Sequence, residues 1–227
     1  MSVKVKICGL KTRRALDAAL DAGTDYFGLV FYPPSPRNVD PETAATLAAH
    51  GRGVARSVVL LVDPDDAAVR RVCDVVSPDL LQLHGSEPPE RVDEIRVMAG
   101  RPVIKAVKVE TPADVDKAQV YNAVADIMLY DAKAPADMAD ALPGGNGIPF
   151  DWRALTGVKP DANFMLSGGL NPDNVGAAVA VTHAPIVDVS SGVESAPGEK
   201  NDYLIRKFIA AAKSAASADV TSEPENA

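Results

Sequence analysis

Residues 3–31 read VKVKICGLKTRRALDAALDAGTDYFGLVF. The run Val3–Cys8 is short, β-branched and alternating, and Gly9 closes it. Thr12 then stands where a helix N-cap belongs. Arg13–Ala22 carries apolar residues at helical spacing, and Gly23 ends it. Tyr26–Phe31 is a second strand. This stretch is therefore a strand–helix–strand unit, and the question is how often the chain repeats it.

It repeats to the end. Asp40-Pro41 opens a helix through about His50, with proline in its first turn. Ser57–Val62 is a third strand, and Asp63-Pro64-Asp65 starts a helix to about Val75. Leu80–His84 is the fourth strand, followed by a helix over Pro88–Ala99. Pro102–Lys108 is the fifth, and Thr111-Pro112 caps a helix through about Tyr121. Ile127–Asp131 is the sixth. Asn163–Leu166 precedes a helix over Asn171–Val181, and Ile186–Val189 precedes a last helix over Asp202–Ala212. Eight strand–helix pairs favour a single (β/α)8 TIM barrel with all-parallel strands over an open doubly wound sheet. The 227 residues fit one such domain, expected to span residues 1–213.

Two segments fall outside the alternation. Ala132–Pro149 is rich in Ala, Pro, Gly and Asp and leads to a short helix start at Asp151-Trp152-Arg153. A connection that long in a compact domain is expected to be functional or mobile. Residues 214–227 are polar, lack periodicity and are expected to form a disordered tail.

Composition narrows the function. The apolar fraction is 47% and the charged fraction 24%, ordinary for a globular protein. A net charge of −8 argues against nucleic acid and anionic lipid as partners. A phosphate site must then be made locally, from backbone N–H groups and a few cations. Two distant cysteines, Cys8 and Cys73, make neither a disulfide framework nor a zinc site. The start has no signal-peptide pattern and no run is long enough to span a membrane. A cytoplasmic protein with reduced thiols is expected.

Barrel enzymes work at the C-terminal ends of their strands. The polar residues placed there are Cys8, Arg37, Asp63, Gln82, His84, Lys108, Asp131, Ser167-Gly168-Gly169, Asp188 and Ser190-Ser191-Gly192. A thiol at a strand end, Cys8, can act as a base, although a free cysteine is more often a small buried hydrophobe. A carboxyl group in a partly desolvated mouth, Asp131, can donate a proton near neutrality, although Asp is also a common cap. The glycine turns after strands seven and eight stand where barrels frequently bind phosphate. Arg37 follows Pro33-Pro34-Ser35-Pro36, a loop stiff enough to hold a guanidinium for a carboxylate; a solvated surface arginine is the bland alternative. His84 beside Gln82 reads as an oriented polar group. No His/Asp/Glu cluster has metal spacing, so neither a metal nor any other cofactor is expected.

Together these segments resemble the phosphoribosylanthranilate isomerase family of tryptophan biosynthesis. The resemblance rests on Lys6-Ile7-Cys8-Gly9, on Phe31-Tyr32-Pro33-Pro34-Ser35-Pro36-Arg37-Asn38-Val39 and on Gln82-Leu83-His84-Gly85. It rests further on Asp131, on Gly144-Gly145-Asn146-Gly147 leading to Phe150-Asp151-Trp152, on Ser167-Gly168-Gly169-Leu170-Asn171-Pro172, and on Asp188-Val189-Ser190-Ser191-Gly192-Val193-Glu194. It spans about residues 3–212. It departs from the family pattern at Asn146, where Thr is usual, and at Asn201, which separates Lys200 from Asp202.

The resemblance implies an Amadori rearrangement of N-(5-phosphoribosyl)anthranilate to 1-(2-carboxyphenylamino)-1-deoxyribulose 5-phosphate. It implies Asp131 as general acid, Cys8 as general base and Arg37 as carboxylate anchor. Gly168, Gly169, Ser191 and Gly192 would form the phosphate turns, with Asp188, Gln82 and His84 lining the substrate site. The partner expected is a small phosphorylated substrate, on a monomer or homodimer. Two rivals remain at this point: the related sugar-phosphate isomerase barrel of histidine biosynthesis, and a barrel that binds a phosphorylated ligand without turning it over.

Overall fold

The computed structural model describes residues 3–132, 151–155, 158 and 163–218, with side chains through 215. Its strands β1 (Lys4–Cys8), β2 (Tyr26–Phe31), β3 (Arg56–Leu61), β4 (Leu80–Leu83), β5 (Val103–Val109), β6 (Ile127–Ala132), β7 (Phe164–Leu166) and β8 (Ile186–Val189) pair in chain order into a closed parallel barrel. β8 closes onto β1 with Asp188 opposite Lys6. The barrel is the architecture that the strand–helix count implies.

The helices form where capping chemistry starts them. Ala15 N–H donates to Thr12 Oγ1 ahead of α1 (Arg13–Asp21). Asp40 caps α2 (Pro41–Gly51), and Asp65 caps α3 (Asp66–Val76). α4 (Pro89–Ala99) and α5 (Pro112–Ala118) both begin on proline, and a 3-10 turn at Gln119–Tyr121 extends the latter. Another 3-10 turn spans Trp152–Leu155.

Boundaries move furthest in two places. α6 is Val175–Thr182 rather than starting at Asn171, because Asn171 Oδ1 accepts from the N–H groups of Asp173 and Asn174 and holds those residues in a turn. α7 runs Asp202–Ala218, past the Ala212 at which the pattern was read to end. Alanines at 210–212, 215 and 216 favour helix intrinsically, without an apolar stripe to signal it. The first part of the expected disordered tail is thus helical, and residues beyond 218 lie outside the described residues, as does the 133–149 connection.

An unforeseen hairpin follows β8. After a 3-10 turn at Ser191–Val193 come β9 (Glu194–Ala196) and β10 (Glu199–Lys200), paired antiparallel. Asn201 then accepts from the N–H groups of Tyr203 and Leu204, so the residue that departs from the family pattern caps α7.

Alternation along each strand separates two cores. One set of side chains packs the strands against the helices, from Val5 and Ile7 through Leu81, Leu83 and Phe164 to Ile205 and Phe208. The other faces into the barrel. Its floor is apolar: Tyr26, Val58, Leu80, Ile104, Ala106, Ile127, Leu129, Met165 and Ile186. Above that floor the interior turns polar, with Lys6, Gln82, His84, Asp131, Ser167 and Asp188 all buried.

Candidate active site

The buried polar layer divides into a β1/β8 side and a β4/β6 side. On the first, Lys6 is fully buried and donates to Asp188 Oδ1 at 2.9 Å. Ser167 Oγ donates to the other oxygen of Asp188 at 3.0 Å. Both oxygens are thereby taken by groups from neighbouring strands. Two residues beyond Lys6, on the same face of β1, sits Cys8, packed with Val30 and Leu60. Gly28 on β2 makes room for both. A Cβ built there would lie 2.7 Å from Cys8 Sγ and 3.2 Å from Lys6 Nζ. Burial alone would pull the Lys6 ammonium down, but Asp188 and Cys8 together hold it above the ordinary lysine range.

On the second side, Gln82 and His84 alternate along the end of β4. Gln82 is fully buried and its Nε2 lies 2.8 Å from His84 Nδ1. His84 Nε2 lies 3.3 Å from Asp131 Oδ2, and Asp131 Oδ1 accepts from Ala132 N–H at 3.0 Å. Gln82 therefore reaches the mouth through the imidazole, which it orients. Among the described residues the side-chain amide oxygen of Gln82 has no hydrogen-bond partner.

The turns after β7 and β8 are built by close approach. Gly168 has φ +89, and a Cβ there would collide with the backbone of Ala132 at the end of β6. A Cβ on Gly192 would collide with the carbonyl of Leu170. Only glycine permits these close approaches. Gly169 and Ser191 complete the turns, half-exposed at the mouth.

Arg37 differs from the bland reading of its loop. It is 6% exposed, and its Nε and Nη2 donate to the two oxygens of Glu194, each at 2.9 Å. Lys200 donates to Glu194 Oε1 at 2.7 Å and to Ser190, whose hydroxyl donates to the carbonyl of Cys8. Burial would raise Glu194, yet Arg37 and Lys200 hold its carboxyl below the ordinary range. Burial dominates at Lys200 and pulls it down, although Glu194 opposes this. The β9–β10 hairpin thus anchors the arginine loop to the back of Cys8.

Sequence reasoning missed Lys6, Glu194 and Lys200 as parts of the site. A basic residue two positions before a strand-end thiol was the available signal for Lys6. Lys108 and Asp63 were noted only as strand-end residues; Asp63 accepts from Ser86 N–H and ties the loops after β3 and β4 together. Among the described residues no group of three or more His, Cys, Asp or Glu side chains is placed to hold a metal ion.

Residues 5–211 match the family model for N-(5'-phosphoribosyl)anthranilate (PRA) isomerase. The chain belongs to that family. Its relatives span it almost end to end. The N-(5'-phosphoribosyl)anthranilate isomerases of Paramagnetospirillum magneticum and Paracoccus denitrificans are each 54% identical over 213 residues. They cover 94% and 93% of this chain, and 98% of each relative is matched. The crystal structure of the Thermotoga maritima enzyme superposes with a TM-score of 0.83 at 35% identity, over 93% of this chain and 99% of that one. A structure of such an isomerase in complex with reduced 1-(o-carboxyphenylamino)-1-deoxyribulose 5-phosphate gives 0.80 at 34% identity, with the same coverage. The chain is therefore an isomerase of tryptophan biosynthesis that acts on a phosphorylated small molecule. Among the described residues no helix is long and apolar enough to cross a membrane.

Proposed function

We propose that Asp131 and Cys8 divide the two proton transfers of the Amadori rearrangement between opposite sides of the barrel mouth. Asp131 protonates the furanose ring oxygen of N-(5'-phosphoribosyl)anthranilate. The C1′–O bond breaks, the anthranilate nitrogen supplies its lone pair, and a Schiff base forms. Cys8 as thiolate removes the proton from C2′ to give an enolamine, which tautomerises to the ketone. Nothing is oxidised overall, and one acid and one base suffice.

The observation that carries this reading is the placement of the two groups. Each ends an inward-facing strand, each is about 4% exposed, and two other strands, β7 and β8, separate β1 from β6 around the ring. Asp131 keeps one oxygen on a backbone N–H and the other beside His84, so its orientation is fixed before substrate arrives.

The anchors follow. Arg37 receives the anthranilate carboxylate, with Glu194 setting the plane of its guanidinium. The N–H groups around Gly168, Gly169, Ser191 and Gly192 receive the phosphate. Asp188 lines the wall between them, and Gln82 and His84 line the acid's side. A thiol that must stay reduced to work suits the cytoplasm. The assembly is a monomer or a homodimer, which sedimentation of the purified chain decides.

Fluorescence decay of substrate generated in situ tests the roles. Wild type should turn over rapidly, and Cys8→Ser and Asp131→Asn should each lose about a hundredfold or more in kcat, the size of a lost general acid or base. Full turnover in either variant would remove that residue from the chemistry.

A further inference from the structure

The base is a thiol, and a thiol acts as a base only as its thiolate, which a neighbouring cation favours. Cys8 is buried against Val30 and Leu60. A cation comes from its own strand. Lys6 lies two residues earlier on the same face, fully buried. Its ammonium and Cys8 Sγ both border the space left by the missing side chain of Gly28, 3.2 Å and 2.7 Å from the point where a Cβ would stand.

We propose that Lys6 is the positioning residue for the base: its ammonium, fixed by Asp188, is the counter-charge that lets Cys8 work as a thiolate. This rests on the reading of Cys8 as the base.

The groups facing Cys8 favour that assignment. From β1 comes Lys6, and from β8 Asp188, which holds Lys6 at 2.9 Å while Ser167 occupies its second oxygen. From the β9–β10 hairpin come Lys200 and Glu194, and from the loop after β2 comes Arg37, bound to that same carboxylate. His84 and Asp131 stand on the β4/β6 side. Lys6 is the one of these cations that shares with Cys8 the space over Gly28. The coupling already shows at Lys6, whose ammonium is held by Cys8 as well as by Asp188.

The test is the ultraviolet absorbance of the thiolate, titrated against pH, with Cys8→Ser as the blank that removes Cys73. Lys6→Gln keeps a donor for Asp188 but removes the charge. It should leave about tenfold less Cys8 thiolate near neutrality, the effect of losing one adjacent opposite charge. Lys6→Arg should restore most of it. Asp188→Asn keeps the shape and frees the Lys6 charge, so the thiolate should form at lower pH than in wild type. Opposite shifts from the two changes separate electrostatics from damage to the fold, which would move both the same way. In Lys6→Gln, kcat/KM should fall near neutrality and recover as pH rises. Titrations that superimpose, or shift together, would overturn the role of Lys6. Full turnover by Cys8→Ser would instead overturn the base reading, whatever the titration shows.

Discussion

Two buried lysines on barrel strands make opposite uses of the same chemistry. Lys6 points into the barrel and meets Asp188 at 2.9 Å. Lys105 points out of it and meets Glu87 at 2.6 Å, with Tyr121 beneath the ammonium. Both pairs are almost free of solvent. Glu87 accepts from the N–H groups of Asp63 and Gly85, and Lys105 donates to the carbonyl of Gly85. The outer pair therefore holds together the loops after β3 and β4. The inner pair instead borders Cys8. Strand parity alone decides which ion pair serves the fold and which serves the chemistry.

The largest effect that sharpens this contrast is at the outer pair. Lys105→Met strands Glu87 as a buried charge. It should cost roughly 3–5 kcal/mol of stability, the scale for one partner lost from a buried pair, read by denaturant unfolding. Turnover per folded molecule should stay close to wild type. A large loss of kcat with stability intact would break the comparison.

Next is Glu194, which joins the hairpin to Arg37. Glu194→Gln should raise KM about tenfold, on the scale of a weakened charge-assisted contact, with kcat little changed. It should also alter acid stability. The carboxyl of Glu194 is held below its ordinary value of 4.5. Its contribution is thus present above that value and lost as pH falls through the lower folded one. The variant lacks this contribution at neutral pH, and its stability should fall less steeply in acid than that of wild type.

The smallest effect concerns the second cysteine. Cys73 lies half-buried on α3, away from the mouth, and burial pushes its thiol up. Cys73→Ser should cost about 1 kcal/mol or less and leave kcat/KM unchanged. A loss comparable with that of Cys8→Ser would show that the two cysteines had been wrongly separated.

The barrel was legible because β-branched runs and capped helices alternate without a break, and caps such as Thr12, Asp40 and Asp65 sit where their side chains accept. The strand ends that carry Cys8, His84, Asp131 and Asp188 were legible for the same reason. Lys6 was not. In Val3-Lys4-Val5-Lys6 the two lysines look alike, yet Lys4 is exposed and Lys6 fully buried. What separates them is Asp188, 182 residues away, and no local pattern carries that. The hairpin was hidden because strands of two and three residues leave no periodicity. Family membership then decides against both rivals, the histidine-pathway barrel and the ligand binder without turnover.

The most direct test of the account is a crystal structure with the reduced product analogue bound. The account places Cys8 Sγ about 3.5 Å or less from C2′, near-attack distance, with Asp131 on the far side of the sugar chain. The phosphate should lie on the turns at Gly168 and Gly192, and the carboxylate on Arg37. A bound analogue with Cys8 turned away from C2′, or with its phosphate and carboxylate ends exchanged, would contradict it.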